Sequence, residues 1–427
     1  MKCGIMQSVR SAGLDNTFSL HLMCTMRRTG INRKNLLFSL CLAIPSCLLA
    51  ILAGEAILRI LDIPGISFRN QGFDDVVGVT YLPHSQIIYR NDRGDCVRRE
   101  VNSWGYTDVE HEVEKPEGAY RIGFFGDSYT EAVQVRLEDT FQRLIEDSLS
   151  SHGVECFTFG HSGFGTLQAY LESERWSDFF DLDLIIYVFC ENDPGDNIKA
   201  IARNDFFPFA VLSEDTLRID CSFRDRYRYK QRLYYRMYDY LSAHSLVFAT
   251  FGARLKLLFN YGIKMSVSEE DRTMTAKFHT DRENVQTPSA SDLPSSWPAH
   301  WKEYAKVLDE RIILQWKEFS RINSRAYAIV YIPRPTEMSK PAVEQDSWKA
   351  WLVSLCESQQ IPLIDPTRDL LAVNHAGGEA FYDHLTQEGH RALAGAFLRE
   401  SDRIRRIPVR TLTRLSSIDY LRHPRHR

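Results

Sequence analysis

Cysteine is sparse: nine residues in 427, scattered along the chain. That excludes a disulfide scaffold as the source of stability. No Cys-x-x-Cys, His-Glu-x-x-His or phosphate-loop Gly-x-x-x-x-Gly-Lys-Ser/Thr pattern occurs, so the short motifs of those chemistries are missing. A basic excess is missing too. The chain has 52 Lys and Arg against 56 Asp and Glu, a net charge of -4, whereas a dedicated nucleic-acid binder carries a large positive balance. A mean hydropathy of -0.30 excludes a polytopic membrane protein, though not a single span. What is present is ordinary globular composition, 44% hydrophobic and 25% charged. That suffices for a sizeable core and excludes a mainly disordered chain.

The one long apolar run stands near the N-terminus. No charged residue interrupts LLFSLCLAIPSCLLAILAG from 36 to 54, about the length that crosses a bilayer core. Arg27, Arg28, Arg33 and Lys34 precede it, and positive flanks stay cytoplasmic. The run reads as an uncleaved signal anchor over 36–58, with 1–35 as a cytoplasmic tail and everything beyond on the periplasmic or extracellular side. Glu55 and Arg59 are spaced to pair as the helix continues. A cleaved signal is the alternative, but no small-x-small site precedes a polar stretch. A lipoprotein signal is disfavoured by Pro45 before Cys47. Met23 or Met26 is an alternative first residue. At the other end, 405–427 is a basic tail, read as a solvated end, with attraction to anionic lipid or glycan as the sharper alternative.

Between these ends the chain alternates. After an irregular lead-in over 62–118, strands are expected near Tyr120, Glu155, Asp183, Ala326 and Ile361, with helices over 136–149, 166–178, 301–323, 343–359 and 387–398. LDLIIYVFC over 182–190 is almost wholly apolar, as in a strand covered on both faces. This alternation predicts a three-layer α/β/α sandwich on a parallel five-stranded sheet, and the polar motifs that follow the strands, brought to one edge by right-handed crossovers, predict the order 2-1-3-4-5. It occupies 119–404 and carries a helical insertion over 200–323. Within that, 231–259 is aromatic-rich and 266–298 polar.

Polar residues cluster directly after the strands, where open α/β sheets bind ligands. Ser128 stands in Gly126-Asp127-Ser128-Tyr129-Thr130. Gly160-His161-Ser162-Gly163-Phe164-Gly165-Thr166 follows the second strand, with glycines that let backbone N–H groups approach a ligand. Asn192 stands in Cys190-Glu191-Asn192-Asp193 after the third. Asp383-His384-Leu385-Thr386-Gln387-Glu388-Gly389-His390 precedes the last helix. Taken singly, each also reads as a turn or helix cap.

Together, in this order, the four blocks resemble those of the SGNH, or GDSL, hydrolase superfamily, from Asn102 to about Leu398 outside the insertion. The lead-in Asn102-Ser103-Trp104-Gly105-Tyr106 and the context RIGFFGDSYTEAVQV are similar to membrane-anchored bacterial members. The resemblance implies a flavodoxin-like fold and a serine esterase. Ser128 would be the nucleophile and His384 the base. The N–H groups of Ser128 and Gly163 and the Asn192 side chain would form the oxyanion hole. Two positions depart from the pattern. Cys190 replaces a glycine. Phe381 stands three before His384, where the family carries the orienting acid. Adjacent Asp383 is the acid expected here, and a Ser–His dyad helped by a backbone carbonyl is the alternative.

The implied chemistry is acyl transfer from an ester, with an O-acylated envelope glycan or a lipid as substrate, and with no cofactor, metal or nucleic acid. An O-acyltransferase would use the same site. Two rivals stand beside it. Gly160-His161-Ser162-Gly163-Phe164 nearly forms a Gly-x-Ser-x-Gly elbow, but Phe164 replaces its last glycine. A catalytically silent, membrane-tethered glycan-binding or assembly protein is the other, since fold does not imply activity. Cys156 and Cys190 read as inert core thiols; Cys96 and Cys221 lie in loops where a disulfide could form. The anchor reading predicts that protease added outside spheroplasts cuts the full chain after residue 62 and leaves its N-terminus protected; the reverse pattern would invert the orientation.

Overall fold

The computed structural model describes residues 33–60, 71–91, 93, 95–202, 206–213, 216–225, 237, 240–241, 245–248, 299–335 and 347–401. The expected cytoplasmic tail before residue 33, almost all of 231–259, the polar stretch 266–298 and the basic tail 405–427 lie outside them.

Helix α1 (Arg33–Ile60) forms one compact unit with residues 245–247, and the other described residues form a second. Within α1, Cys41–Ile60 is long and apolar enough to cross a membrane, with mean hydropathy 2.1 and none of it buried. Arg59 Nε donates to Glu55 Oε1 at 2.7 Å, the one-turn pair expected from their spacing.

The larger unit begins with two antiparallel hairpins rather than the irregular lead-in expected over 62–118. The first pairs β1 (Gln71–Asp74) with β2 (Gly78–Tyr81), the second β3 (Gln86–Arg90) with β4 (Cys96–Glu100). Strands of four or five residues are too short for alternation to announce them.

The core follows the expected alternation. Strand β5 (Tyr120–Gly126) leads through α2 (Ser128–Glu131) and α3 (Phe141–Leu149) to β6 (Val154–Gly160), then α4 (Thr166–Phe179), β7 (Leu184–Phe189) and α5 (Asp193–Asp196). A hairpin of β8 (Phe209–Ser213) and β9 (Thr216–Asp220) comes next, then α6 (Ala299–Ile322), β10 (Ala326–Tyr331), α7 (Trp348–Ser358), β11 (Leu363–Ile364), α8 (Thr367–His375) and α9 (Gln387–Glu400). The sheet runs β6-β5-β7-β10-β11, wholly parallel, which is order 2-1-3-4-5.

The continuous apolar runs have their reason in two cores. Ile122, Phe124, Leu184, Ile186 and Val188 pack with Phe141, Ile145, Leu393 and Phe397 on one face of the sheet. Phe125, Ile185, Tyr187 and Phe189 pack with Leu167, Ile312 and Trp316 on the other. Helix α6 is therefore a core crossover helix, with Leu308, Ile312, Ile313 and Trp316 fully buried. The insertion expected over 200–323 does not extend through it. Helix α8 was not expected; it follows the short β11 directly and buries only Leu370.

Two buried polar anchors hold the frame. Arg121, the second residue of the expected apolar strand, is completely buried. It donates to Glu155 at 2.6 Å and to the carbonyls of Val113, Phe180, Glu112 and Glu114, tying the lead-in to the sheet. His390 on α9 accepts the Phe141 N–H at 3.2 Å, one of the donors a helix start leaves without an intrahelical partner. Burial, with nearby Arg99 and His384, pushes the His390 pKa down to about 3. The folded state thus keeps this imidazole neutral while the unfolded chain protonates it near the ordinary value of roughly 6.5. Its contribution to stability is present above about 6.5 and is lost as pH falls from there toward about 3. In urea melts of the full chain, His390→Asn is expected to show a smaller loss of midpoint between pH 7 and 4.5 than the parent; equal losses would refute this.

Candidate active site

Parallel strands deliver their carboxyl ends to one edge of the sheet, and the motif residues stand there. Ser128 opens α2 after β5, Gly163 lies in the turn after β6, and Asn192 caps α5 after β7. His384 lies in the loop before α9. Ser128, Gly163, Asn192 and His384 are all partly exposed, and the residues beneath them are buried.

Ser128 Oγ and His384 Nε2 are 2.8 Å apart, a hydrogen bond that carries the hydroxyl proton toward the imidazole when Nε2 is unprotonated. Tyr129 packs against that imidazole with ring centroids 4.8 Å apart. Asp383 Oδ2 lies 3.2 Å from His384 Nδ1. The contact is misaligned, so Nδ1 makes no hydrogen bond among the described residues. Tyr89 Oη on β3 donates to the same carboxylate oxygen at 3.2 Å. Contact with His384, helped by Tyr89, holds the Asp383 carboxyl below its ordinary value against partial burial. The Asp383 side chain is 59% exposed, unlike the buried acid of a protease triad.

Beneath the serine lies Asp127, 1% exposed. Its Oδ1 accepts the Tyr129 N–H at 2.9 Å and so caps α2. Its Oδ2 accepts from Asn192 Nδ2 at 3.1 Å and Cys190 Sγ at 3.0 Å, and lies 3.4 Å from Ser128 Oγ. The Asn192 amide is thereby anchored beside the serine, with Asp196 Oδ2 as a further acceptor at 3.3 Å. Cys190 is thus a buried core thiol, as expected, but one engaged in polar contacts rather than a purely apolar residue. It sits 2.9 Å from Asn192 Oδ1 and 3.2 Å from Asp193 Oδ1, and burial next to Asp127 and Asp193 pushes its thiol pKa up. Cys156 is an apolar core residue, and Cys96 and Cys221 are free thiols.

The polar layer continues inward. Asp193 accepts from Tyr187 Oη at 2.8 Å, Tyr187 meets Thr166 at 2.8 Å, and Thr166 and Asn197 donate to Asp309 at 2.7 and 2.6 Å. Burial, and then Asp127, push the Asp193 carboxyl up; burial lifts that of Asp309 to about 7. Asp127, Cys190 and Asp193 place one ligand atom each within 4.8 Å of one another, as a cation site would require. Their atoms are instead spent on hydrogen bonds among themselves and to Asn192, Tyr187 and Tyr129.

Among the described residues, nothing accepts a hydrogen bond from the backbone N–H of Ser128 or Gly163. Gly163 has φ +85, the left-handed region that suits glycine. At Gly160 a Cβ would lie 2.2 Å from the Glu131 nitrogen, so glycine there admits α2 against the end of β6.

No protein-family model matches this chain, and no curated protein matches it significantly. Among solved structures it is similar to an acetyl xylan esterase (15% identity, 65% of this chain and 98% of the other, TM-score 0.34). It is also similar to a member of the lipolytic G-D-S-L family from Veillonella parvula (12% identity, 66% and 97%, TM-score 0.35). A GDSL-like lipase from Bacteroides thetaiotaomicron is a third (11% identity, 68% and 92%, TM-score 0.32).

Sequence reasoning missed the neighbours that steady these residues. Tyr89 bonds Asp383, Glu131 bonds Ser162, Tyr81 bonds Glu131, and Arg334 after β10 pairs with Glu191. Only Glu131 stands inside a quoted motif context; the others carry no local signal. Asp383→Ala in the full chain is expected to lower kcat about ten- to a hundredfold, well short of the roughly ten-thousandfold loss of a buried triad acid. A kcat within twofold of the parent would make Asp383 a bystander.

Proposed function

We propose that this chain is a serine ester hydrolase of the SGNH kind, anchored by its N-terminal helix. The observation that carries the reading is the 2.8 Å hydrogen bond between Ser128 Oγ and His384 Nε2, made across 256 residues at the strand-end edge of the sheet. Ser128 attacks the ester carbonyl while His384 takes its proton. Charge develops on the carbonyl oxygen, and the N–H groups of Ser128 and Gly163 are the donors that receive it, joined by the Asn192 amide when one of its N–H groups exchanges Asp196 Oδ2, 3.3 Å away, for that oxygen. Each such donor contributes about 3–4 kcal/mol of transition-state stabilisation. The protonated His384 then returns its proton to the leaving oxygen, and the acyl group rests on Ser128. Water completes hydrolysis; a sugar hydroxyl in its place makes the same site an O-acyltransferase.

The substrate class follows from placement. The basic residues before the apolar run 36–54 support an outward-facing larger unit, so an O-acylated envelope glycan or lipid is the substrate proposed. Ser128→Ala is expected to abolish both p-nitrophenyl acetate hydrolysis and fluorophosphonate labelling of the detergent-solubilised chain, and Ser162→Ala to retain labelling. Label on Ser162 would sink the assignment. No turnover and no label on the parent would favour a silent binding protein.

A further inference from the structure

Glu131 ends α2 one turn after the nucleophile and is completely buried. A buried carboxylate is unfavourable unless donors surround it, and its donors are specific. Ser162 donates both its backbone N–H, at 3.0 Å, and its hydroxyl to Glu131 Oε2. Tyr81 Oη, from hairpin strand β2, donates to Oε1. The same turn is held from a second side. His161 Nδ1 lies 3.0 Å from the Ser162 carbonyl oxygen. Its ring, 3% exposed, is stacked between Tyr81 and Phe164 at 4.3 and 4.9 Å.

These contacts converge on one peptide plane. The bond from Ser162 to Gly163 is planar and trans, so its C=O and N–H point in opposite directions. With Nδ1–H as donor, His161 fixes the carbonyl, and Glu131 fixes the N–H of the preceding peptide. Together they fix the direction of the Gly163 N–H, which has no acceptor of its own among the described residues. We propose that Glu131, His161 and Tyr81 form a clamp that aims the Gly163 N–H at the reacting oxygen, which makes them positioning residues for acyl transfer. This rests on the esterase reading of the site. It also gives the lead-in hairpin a part in the reaction, since Tyr81 touches both other members.

The test is steady-state kinetics on the full detergent-solubilised chain. In Glu131→Gln the single side-chain oxygen can serve only part of the donor set, and the amide NH2 opposes the remainder. The expected kcat for p-nitrophenyl acetate is about ten- to a hundredfold below the parent, since a mis-aimed oxyanion donor costs on that order. KM should change less than about threefold, and the pH midpoint of kcat/KM should not move, because His384 is untouched. Fluorophosphonate labelling should slow while still reaching the parent's stoichiometry. A kcat within about twofold of the parent overturns the clamp. So does labelling in which a reduced fraction reacts at the parent rate, which marks a merely structural role. Tyr81→Phe, removing one hydroxyl, is the second arm should Glu131→Gln not fold. It is expected to lower kcat about three- to tenfold at unchanged KM, and parent-like kcat there also overturns the clamp. A parent chain that neither turns over esters nor takes label overturns the esterase reading and the clamp with it. Parent activity with unaffected variants overturns the clamp alone.

Discussion

One buried carboxylate organises the site. Asp127 sits at the end of the central strand β5 with 1% exposure, where an unpartnered charge would be strongly unfavourable. The groups that satisfy it come from two neighbouring strand ends: the Tyr129 N–H from its own turn, and the Cys190 thiol and Asn192 amide from the end of β7. Satisfying Asp127 therefore places Asn192 beside Ser128 and starts α2 in one motion. The cysteine, which replaces a glycine of the resembled motif, is part of that arrangement.

A similar economy governs the lead-in hairpins. Tyr81 of β2 reaches Glu131 and His161 under the glycine turn. Tyr89 of β3 reaches Asp383. Beyond β3, Arg93 pairs with Glu379 at 2.6 and 2.9 Å and lies over the Tyr382 ring, 3.6 Å from its centroid. The exposed Arg93–Glu379 ion pair contributes little stability by itself. The effect of these contacts is on placement: the loop bearing His384 is held from outside by a segment that precedes the five-stranded sheet in the chain.

The inner polar network shows a different balance. From Asp193 through Tyr187 and Thr166 to Asp309, the groups are fully buried and hydrogen-bonded in series. Burial lifts the carboxyls at both ends, so this layer can hold protons at neutral pH without placing unpaired charge in the core. It fastens α4, α5 and α6 to β7, behind the edge where Ser128 and His384 meet.

The sequence alone determined the sheet order, the strand-end positions of Ser128, Gly163, Asn192 and His384, and the apolar helix near the N-terminus. The strands, the turns and the apolar helix are local signals: continuous apolar runs for doubly covered strands, glycine and serine at turns, and an uncharged run of bilayer length; the sheet order came from requiring right-handed crossovers to bring the motifs to one edge. Tertiary structure decided the rest. Whether Asp383 orients His384 depends on an angle that adjacency in sequence leaves open, and the loop turns that carboxylate largely toward solvent. That α6 belongs to the core rather than to the insertion depends on which face meets the sheet, and the composition of the stretch before it masked this. The roles of Tyr81, Tyr89 and Glu131 arise only where hairpins and sheet edge meet, at separations of 31 to 294 residues. A hydrogen bond spanning such a distance is created by folding and leaves no periodicity in the chain.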